Sequence, residues 1–264
     1  MTEIDFYDIF QGQLAAFLLV LTRTSGIFLI SPFFGSMNIP VQIRAAAAIT
    51  MAFVTFPVIV EKNIVTAPES ILMFAGSILQ EMFVGWMIGF IAFVALAAIN
   101  MAGKIMDMQV GFSVAQVMDP TSGQQSPLIG SFLYNLAVIY FLVVNGHHII
   151  IGALIESFNR IPLDGVVWNE ALTSFIGDIT AGVFLVGMKI AMPVTFSILL
   201  VNVGMGILAR TMPQMNIFVV GIPLHLTIGT FMLSMLLPFF ILFLDSMFNT
   251  MYANIVTALK LISP

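Results

Sequence analysis

The stretch ARTMPQMNIFVVGIPL, Ala209 to Leu224, lies between two long apolar runs, and its reading decides how the second half of the chain folds. Pro213 has no backbone N–H, so it ends one helix or starts the next. Asn216 is suited to capping free backbone groups there. Gly221-Ile222-Pro223 bends the chain again. From the residues alone this is a broken connection between two apolar segments. It is too apolar for an ordinary loop and too rich in breakers for an ordinary membrane helix.

The apolar character extends far beyond this connection. The chain has 264 residues, of which 60% are hydrophobic and 8% charged. A soluble domain carries roughly 25% charged residues. Too little polar material is present to coat a water-facing surface, so an integral membrane protein is expected. The net charge of −5 provides no basic patch for nucleic acid. Cysteine is absent, which removes disulfides, zinc–thiolate sites and thiol catalysis. The first residues carry Glu3, Asp5 and Asp8 and no early Lys or Arg. They lack the basic n-region and cleavage site of a secretory signal, so an uncleaved N-terminus is expected.

Charge-poor runs predict six helices, over about 9–31, 45–60, 71–99, 128–155, 179–209 and 217–245. A helix needs about 20 apolar residues to cross the hydrocarbon core. The second run is short and the third, fifth and sixth are long, which suggests kinked or hairpin helices. The runs are too long and too poorly alternating for barrel strands. The fold class is therefore all-α. Pro57, Pro193 and Pro238 fall in or near these runs and are expected to bend them. Gly85 and Gly89 in EMFVGWMIGF, four apart, admit close approach of another helix. Gly204 and Gly206 offer the same opportunity. Each connection and the tail carry one basic residue, Arg44, Lys62, Lys104, Arg160, Arg210 and Lys260. The positive-inside rule thus assigns no orientation. Insertion or retention by partners would account for that.

Few groups suggest chemistry. His147 and His148 are adjacent, so on a helix they point to different sides and make a poor metal pair. A cap or turn at Asn145-Gly146 with imidazoles bonded between helices is the simpler reading. Arg23, Glu81 and Lys189 are ionisable groups inside apolar runs. Such groups face a bundle interior or a water-filled cavity. They suit the coupling site of a secondary transporter of a small solute, or ion pairs within an assembly. No nucleophile–base pattern or phosphate-cradling loop is present, so neither catalysis nor a cofactor is expected. The segment VGFSVAQVMDPTSGQQSPLIG, Val110 to Gly130, carries Phe112, Val114, Val117 and Met118 just before a series of turn residues. That apolar cluster is either ordinary packing or a plug, because hydrophobic constrictions close pores by excluding water.

Five motifs in order carry a family resemblance: PFFGSMNIPVQIR (Pro32–Arg44), EMFVGWMIGF (Glu81–Phe90), GFSVAQVMDP (Gly111–Pro120), NGH (Asn145–His147) and PQMNIFVVGIP (Pro213–Pro223). Together they resemble the FliR family of flagellar and type III secretion export-gate proteins, over nearly the whole chain. The resemblance implies a FliP-like helical part, residues 1–175, that includes a plug loop at about 110–127. A FliQ-like helical hairpin, 176–264, follows. It implies assembly with FliP-like and FliQ-like subunits into a closed-ended gate, wrapped by an FlhB-like subunit and set over an FlhA-like ring. Unfolded flagellar proteins would be the cargo. The place would be the bacterial inner membrane at the flagellar basal body, with the gate partly raised toward the periplasm. It further implies a plug built from Gly111, Phe112, Val114, Val117, Met118, Asp119 and Pro120. Assembly or bending would involve Glu81, Gly85, Gly89, Arg210, Pro213, Asn216, Phe218, Gly221 and Pro223. Arg210 would then sit near a helix C-terminus, where its charge is favoured. VWNEALTS, Val167 to Ser174, matches no family motif.

Overall fold

The computed structural model describes residues 6–32, 34–35, 39–60, 70–113, 127–214 and 216–264, with the side chains of 6–11, 217 and 218 left aside. Seven helices account for nearly all of it: α1 (Phe6–Ile30), α2 (Val41–Val60), α3 (Ile71–Val110), α4 (Leu128–Val143), α5 (Gly146–Arg160), α6 (Glu170–Thr211) and α7 (Ile217–Ile262). No strand occurs among the described residues, so the all-α expectation holds. Five helices are long and apolar enough to cross a membrane, or six spans if the broken pair α4–α5 counts as one.

Four expected boundaries are corrected, and the sixth helix, expected to end near 245, runs on to Ile262. The run over 128–155 is two helices, because Asn145 adopts a left-handed backbone with φ 56°. A right-handed helix does not propagate through such a residue. The third helix runs on past 99 to Val110. Lys104 is exposed and Asp107 is bonded inside, so neither charge stops it. The fifth begins at Glu170, where the Asn169 side chain accepts the Ala171 N–H at 3.0 Å and so caps the helix start. The prolines interrupt less than expected: α2 continues through Pro57, α6 through Pro193 and α7 through Pro223 and Pro238.

The chain divides into two compact units. The first comprises Met1–Val94, Asn145–Asp178 and Asn249–Pro264. In it α1 buries Ala16, Leu19, Val20, Arg23 and Ile27, a three-to-four-residue spacing that makes one helical face. α2 packs along α1, with Phe17 and Phe56 edge to face at 5.4 Å. α1 and α3 meet backbone to backbone. A Cβ at Gly85 would overlap the Arg23 carbonyl, and one at Gly89 would lie 3.2 Å from the Ile27 carbonyl. Gly26 supplies the matching gap on α1, where an added Cβ would lie 2.9 Å from the Met82 carbonyl. The segment that matches no motif closes this unit. Val167 donates to the Ile262 carbonyl at 3.0 Å, and the Trp168 ring lies 4.8 Å from that of Phe83.

The second unit comprises Ala95–Val144 and Ile179–Phe248. Ile99, Ala102 and Met106 of α3, Leu133, Ala137 and Phe141 of α4, Ala191, Val194 and Ile198 of α6 and Phe240 and Leu244 of α7 form its core. Glycines again mark the crossings. A Cβ at Gly103 would overlap Gly130, one at Gly187 would lie 3.1 Å from the Ala98 carbonyl, and one at Gly229 would lie 2.5 Å from Val110. No described residue approaches Gly204 or Gly206, so the close contact expected there is not made among the described residues.

Candidate gate loop, hairpin and buried ion pair

The segment expected to form a plug leaves the end of α3. Gly111 has φ +98°, and no described residue lies within 4 Å of where a Cβ would be. Its backbone angle, not crowding, therefore calls for glycine. Its N–H donates to the Asp107 carbonyl at 3.1 Å. Phe112 and Ser113 are helical and half-buried. Val114, Val117, Met118, Asp119 and Pro120 lie outside the described residues.

The far end of the segment is α4. Pro127 holds its N-cap position and supplies no side-chain acceptor. The orphan N–H groups of a first turn need one. Asp107, only 1% exposed, provides it from α3: its carboxylate accepts the Ile129 N–H at 3.0 Å and the Gly130 N–H at 3.2 Å. Sequence reasoning missed this residue. The available signal was a carboxylate four residues before the loop in an otherwise apolar run.

The connection of Ala209–Leu224 is a short turn between α6 and α7. Arg210 is exposed in the last turn of α6, where the positive charge complements the helix dipole. Pro213 is exposed in the turn, and the Asn216 carbonyl accepts the Val219 N–H at 3.1 Å to start α7. Gly221 is buried, and a Cβ there would lie 3.5 Å from the Met205 methyl. Met205 and Gly221 are equidistant in sequence from Pro213, so α6 and α7 fold back on each other as a hairpin. Pro223 is exposed and already within α7. The helix continues through it. The Pro223 carbonyl accepts the Thr227 hydroxyl at 2.8 Å. The Phe218 side chain lies outside the described residues.

Glu81 and Arg23, distant in sequence, form a buried pair in the first unit. Both side chains are 0% exposed. Arg23 Nε and Nη2 donate to the two carboxylate oxygens at 2.5 and 3.0 Å. The guanidinium also reaches the Ile161 carbonyl at 3.1 Å and Ser157 Oγ at 3.3 Å. It stands 4.1 Å above the Phe158 ring. Glu81 Oε1 accepts the Asp164 N–H at 3.2 Å, and the Asp164 carboxylate accepts from Ser77 Oγ at 2.9 Å. The pair thus ties α1, α3 and the end of α5 together with its hydrogen bonds satisfied. Glu81 is engaged on both oxygens, and Lys189 lies exposed on α6. Neither has the setting of a solute-coupling group. Gly85 and Gly89 lie along the same α1–α3 contact, beneath Glu81.

His147 and His148 start α5 with ring centroids 4.3 Å apart. His147 Nδ1 is buried without a hydrogen-bond partner, so the expected bond between helices is not made at that atom. Among the described residues no group of three or more His, Asp or Glu side chains is arranged to hold a metal.

Comparison with known proteins adds a consistent result. The family described as bacterial export proteins, family 1, matches residues 14–251. The flagellar biosynthetic protein FliR of Bacillus subtilis (strain 168) is 38% identical over 221 residues, 83% of this chain and 84% of the relative. FliR of Escherichia coli (strain K12) is 30% identical over 247 residues, 92% and 93% of the two chains. FliR of Aquifex aeolicus (strain VF5) is 31% identical over 227 residues, 84% of each.

Proposed function

The chain belongs to the bacterial export proteins of family 1, and on that premise we propose that it is a structural and gating subunit of the flagellar type III export gate. It completes a ring with FliP-like and FliQ-like subunits, contacts FlhB-like and FlhA-like components, and passes unfolded flagellar proteins. Residues 1–175 form the FliP-like part and 176–264 the FliQ-like hairpin. The site is the bacterial inner membrane at the basal body, with the gate partly raised toward the periplasm. Its work is assembly and closure rather than catalysis.

The observation that carries this reading is the length of the last two helices. α6 and α7 have 42 and 46 residues, or about 63 and 69 Å at 1.5 Å per residue. The hydrocarbon core is about 30 Å thick. Burying such helices wholly in lipid would need tilts of about 60°, beyond the roughly 0–40° seen for membrane helices. Yet α6 exposes large apolar side chains from Phe184 through Phe196 and Leu208, with Met212 just past its end. α7 does so from Val219 through Phe231 to Leu242. Those apolar stretches are about 36–38 Å long at 1.5 Å per residue, enough to fill a hydrocarbon core of about 30 Å, and the helix ends that continue beyond them call for protein neighbours outside the lipid. The hairpin residues Arg210, Pro213, Asn216, Phe218, Gly221 and Pro223 belong to that assembly surface. Gly111 to Pro120 is the plug, with Phe112, Val114, Val117 and Met118 as its apolar seal.

Two measurements test this. Co-expressed with FliP-like and FliQ-like subunits, the chain is expected to purify in one complex with them; a monodisperse monomer would count decisively against the gate. Phe112→Asp is expected to make cells leak ions. Assembly and motility intact, with no leak, would end the plug reading.

A further inference from the structure

Two faces repeat along α6. One is buried in the second unit and includes Ala191, Val194 and Ile198. The other runs through Leu185, Lys189, Met192, Phe196, Leu199 and Val203. Its steps are four, three, four, three and four residues, the alternation by which one helix presents a continuous seam to another. At about 100° per residue, Lys189 stands roughly 200° round the helix from Ala191, on the side away from the core. The five apolar side chains of the seam are each at least 54% exposed, and Lys189 is exposed with them.

Lys189 does not fit an apolar strip that faces only lipid. No Asp or Glu lies within one turn of it in sequence, and among the described residues it enters no ion pair. Apolar residues precede and follow it on the same face. An ammonium among acyl chains is costly, and lipid imposes no alternation of four and three. In a seam between helices, by contrast, a single lysine gives up some stability and selects the register in which it meets its partner group. Once the seam is covered, an unpaired ammonium is unfavourable, so the partner group must be an anion. On a helix that anion is the carboxylate of Asp or Glu.

We propose that the seam from Leu185 to Val203 is the docking face for a helix of a neighbouring subunit, and that Lys189 meets a carboxylate on that helix and fixes the register of the pair. This deepens the reading of the chain as an assembling subunit and rests on it.

The test uses the full chain, co-expressed in cells with FliP-like and FliQ-like subunits. A photo-crosslinking amino acid at Met192, one turn from Lys189 on the same seam, reports what covers it. A cross-link to a protein segment that carries Asp or Glu is expected; a cross-link to phospholipid overturns the inference. Recovery of the detergent-purified complex, per chain retained in the membrane, is the second readout. Lys189→Glu is expected to lower it about tenfold or more, and Lys189→Arg, which keeps the charge, to leave it within about threefold of the parent. Changing the acid of the cross-linked segment to Lys is expected to restore the Lys189→Glu complex, and failure to restore it overturns the pairing. If Lys189→Glu is not retained in the membrane, Lys189→Met decides: lower recovery per chain supports the inference and parental recovery overturns it. Parental recovery of the Lys189→Glu complex overturns the inference and leaves the assembly reading standing. A parent chain that purifies as a monomer ends both.

Discussion

Replacing Glu81 by alanine is expected to destabilise the first unit severely, and the structure provides the magnitude. Arg23 is 0% exposed and would keep only the Ile161 carbonyl, Ser157 Oγ and the Phe158 ring as partners. It would lose two charge-assisted hydrogen bonds, at about 1.5–3 kcal/mol each. That agrees with the roughly 3–5 kcal/mol found when one partner of a buried ion pair is removed. The Asp164 N–H would lose its acceptor as well. For a chain of this size about 1 kcal/mol moves the unfolding midpoint by roughly 2–4 °C, so a fall of roughly 6–20 °C is expected. The assay is the temperature at which half of the purified complex remains intact in detergent. Glu81→Gln retains the shape and one acceptor, and should fall by less. Replacing both Arg23 and Glu81 by leucine removes the stranded charge but orphans the Ile161 carbonyl. It should therefore be more stable than Glu81→Ala and less stable than the parent. A shift below about 2 °C for Glu81→Ala would refute the reasoning, because it would mean that water solvates Arg23 once the carboxylate is gone.

Three further outcomes follow from the backbone. Gly85→Ala puts a methyl into the Arg23 carbonyl and should lower the stability of the same complex by about 1–3 kcal/mol. Gly206→Ala meets nothing among the described residues, so it should be neutral or stabilise by up to about 1 kcal/mol through helix propensity. If it instead reduces recovery of the complex, that position faces a neighbouring subunit. Gly111→Ala forces a side chain into φ +98° at a cost of about 1–3 kcal/mol, visible as faster proteolysis between α3 and α4, and an unchanged cleavage rate would count against that strain.

The hairpin was legible because its signals are local. Pro213 cannot donate to a helix, Asn216 starts one, and Arg210 sits where a helix end favours it. Each effect acts within a turn of its own residue. Pro223 and Pro238 do not end α7, because a long helix carries a missing donor when the neighbouring bonds hold. Asn145-Gly146 reads as a cap or turn, and Asn145 is the N-cap of α5, but the run around it still reads as one helix. Apolar runs on both sides concealed the break, and only the left-handed φ of Asn145 separates them.

Composition alone determined that this chain meets lipid and protein rather than water, since 8% charged residues cannot coat a soluble surface. Local pattern determined that it is helical, where its hairpin turns, and which family it resembles. Partner choice over long separations belonged to the tertiary structure. Arg23 and Glu81 read as scattered charges until α1 and α3 brought them into a single pair. Gly26 had no visible role until it faced Gly85. Asp107 was an unremarked acid at the end of an apolar run until α4 presented its unsatisfied N–H groups to it. A buried charge or a missing side chain is unfavourable or neutral in isolation. Its meaning depends on what stands opposite, and only the packed helices place that group there.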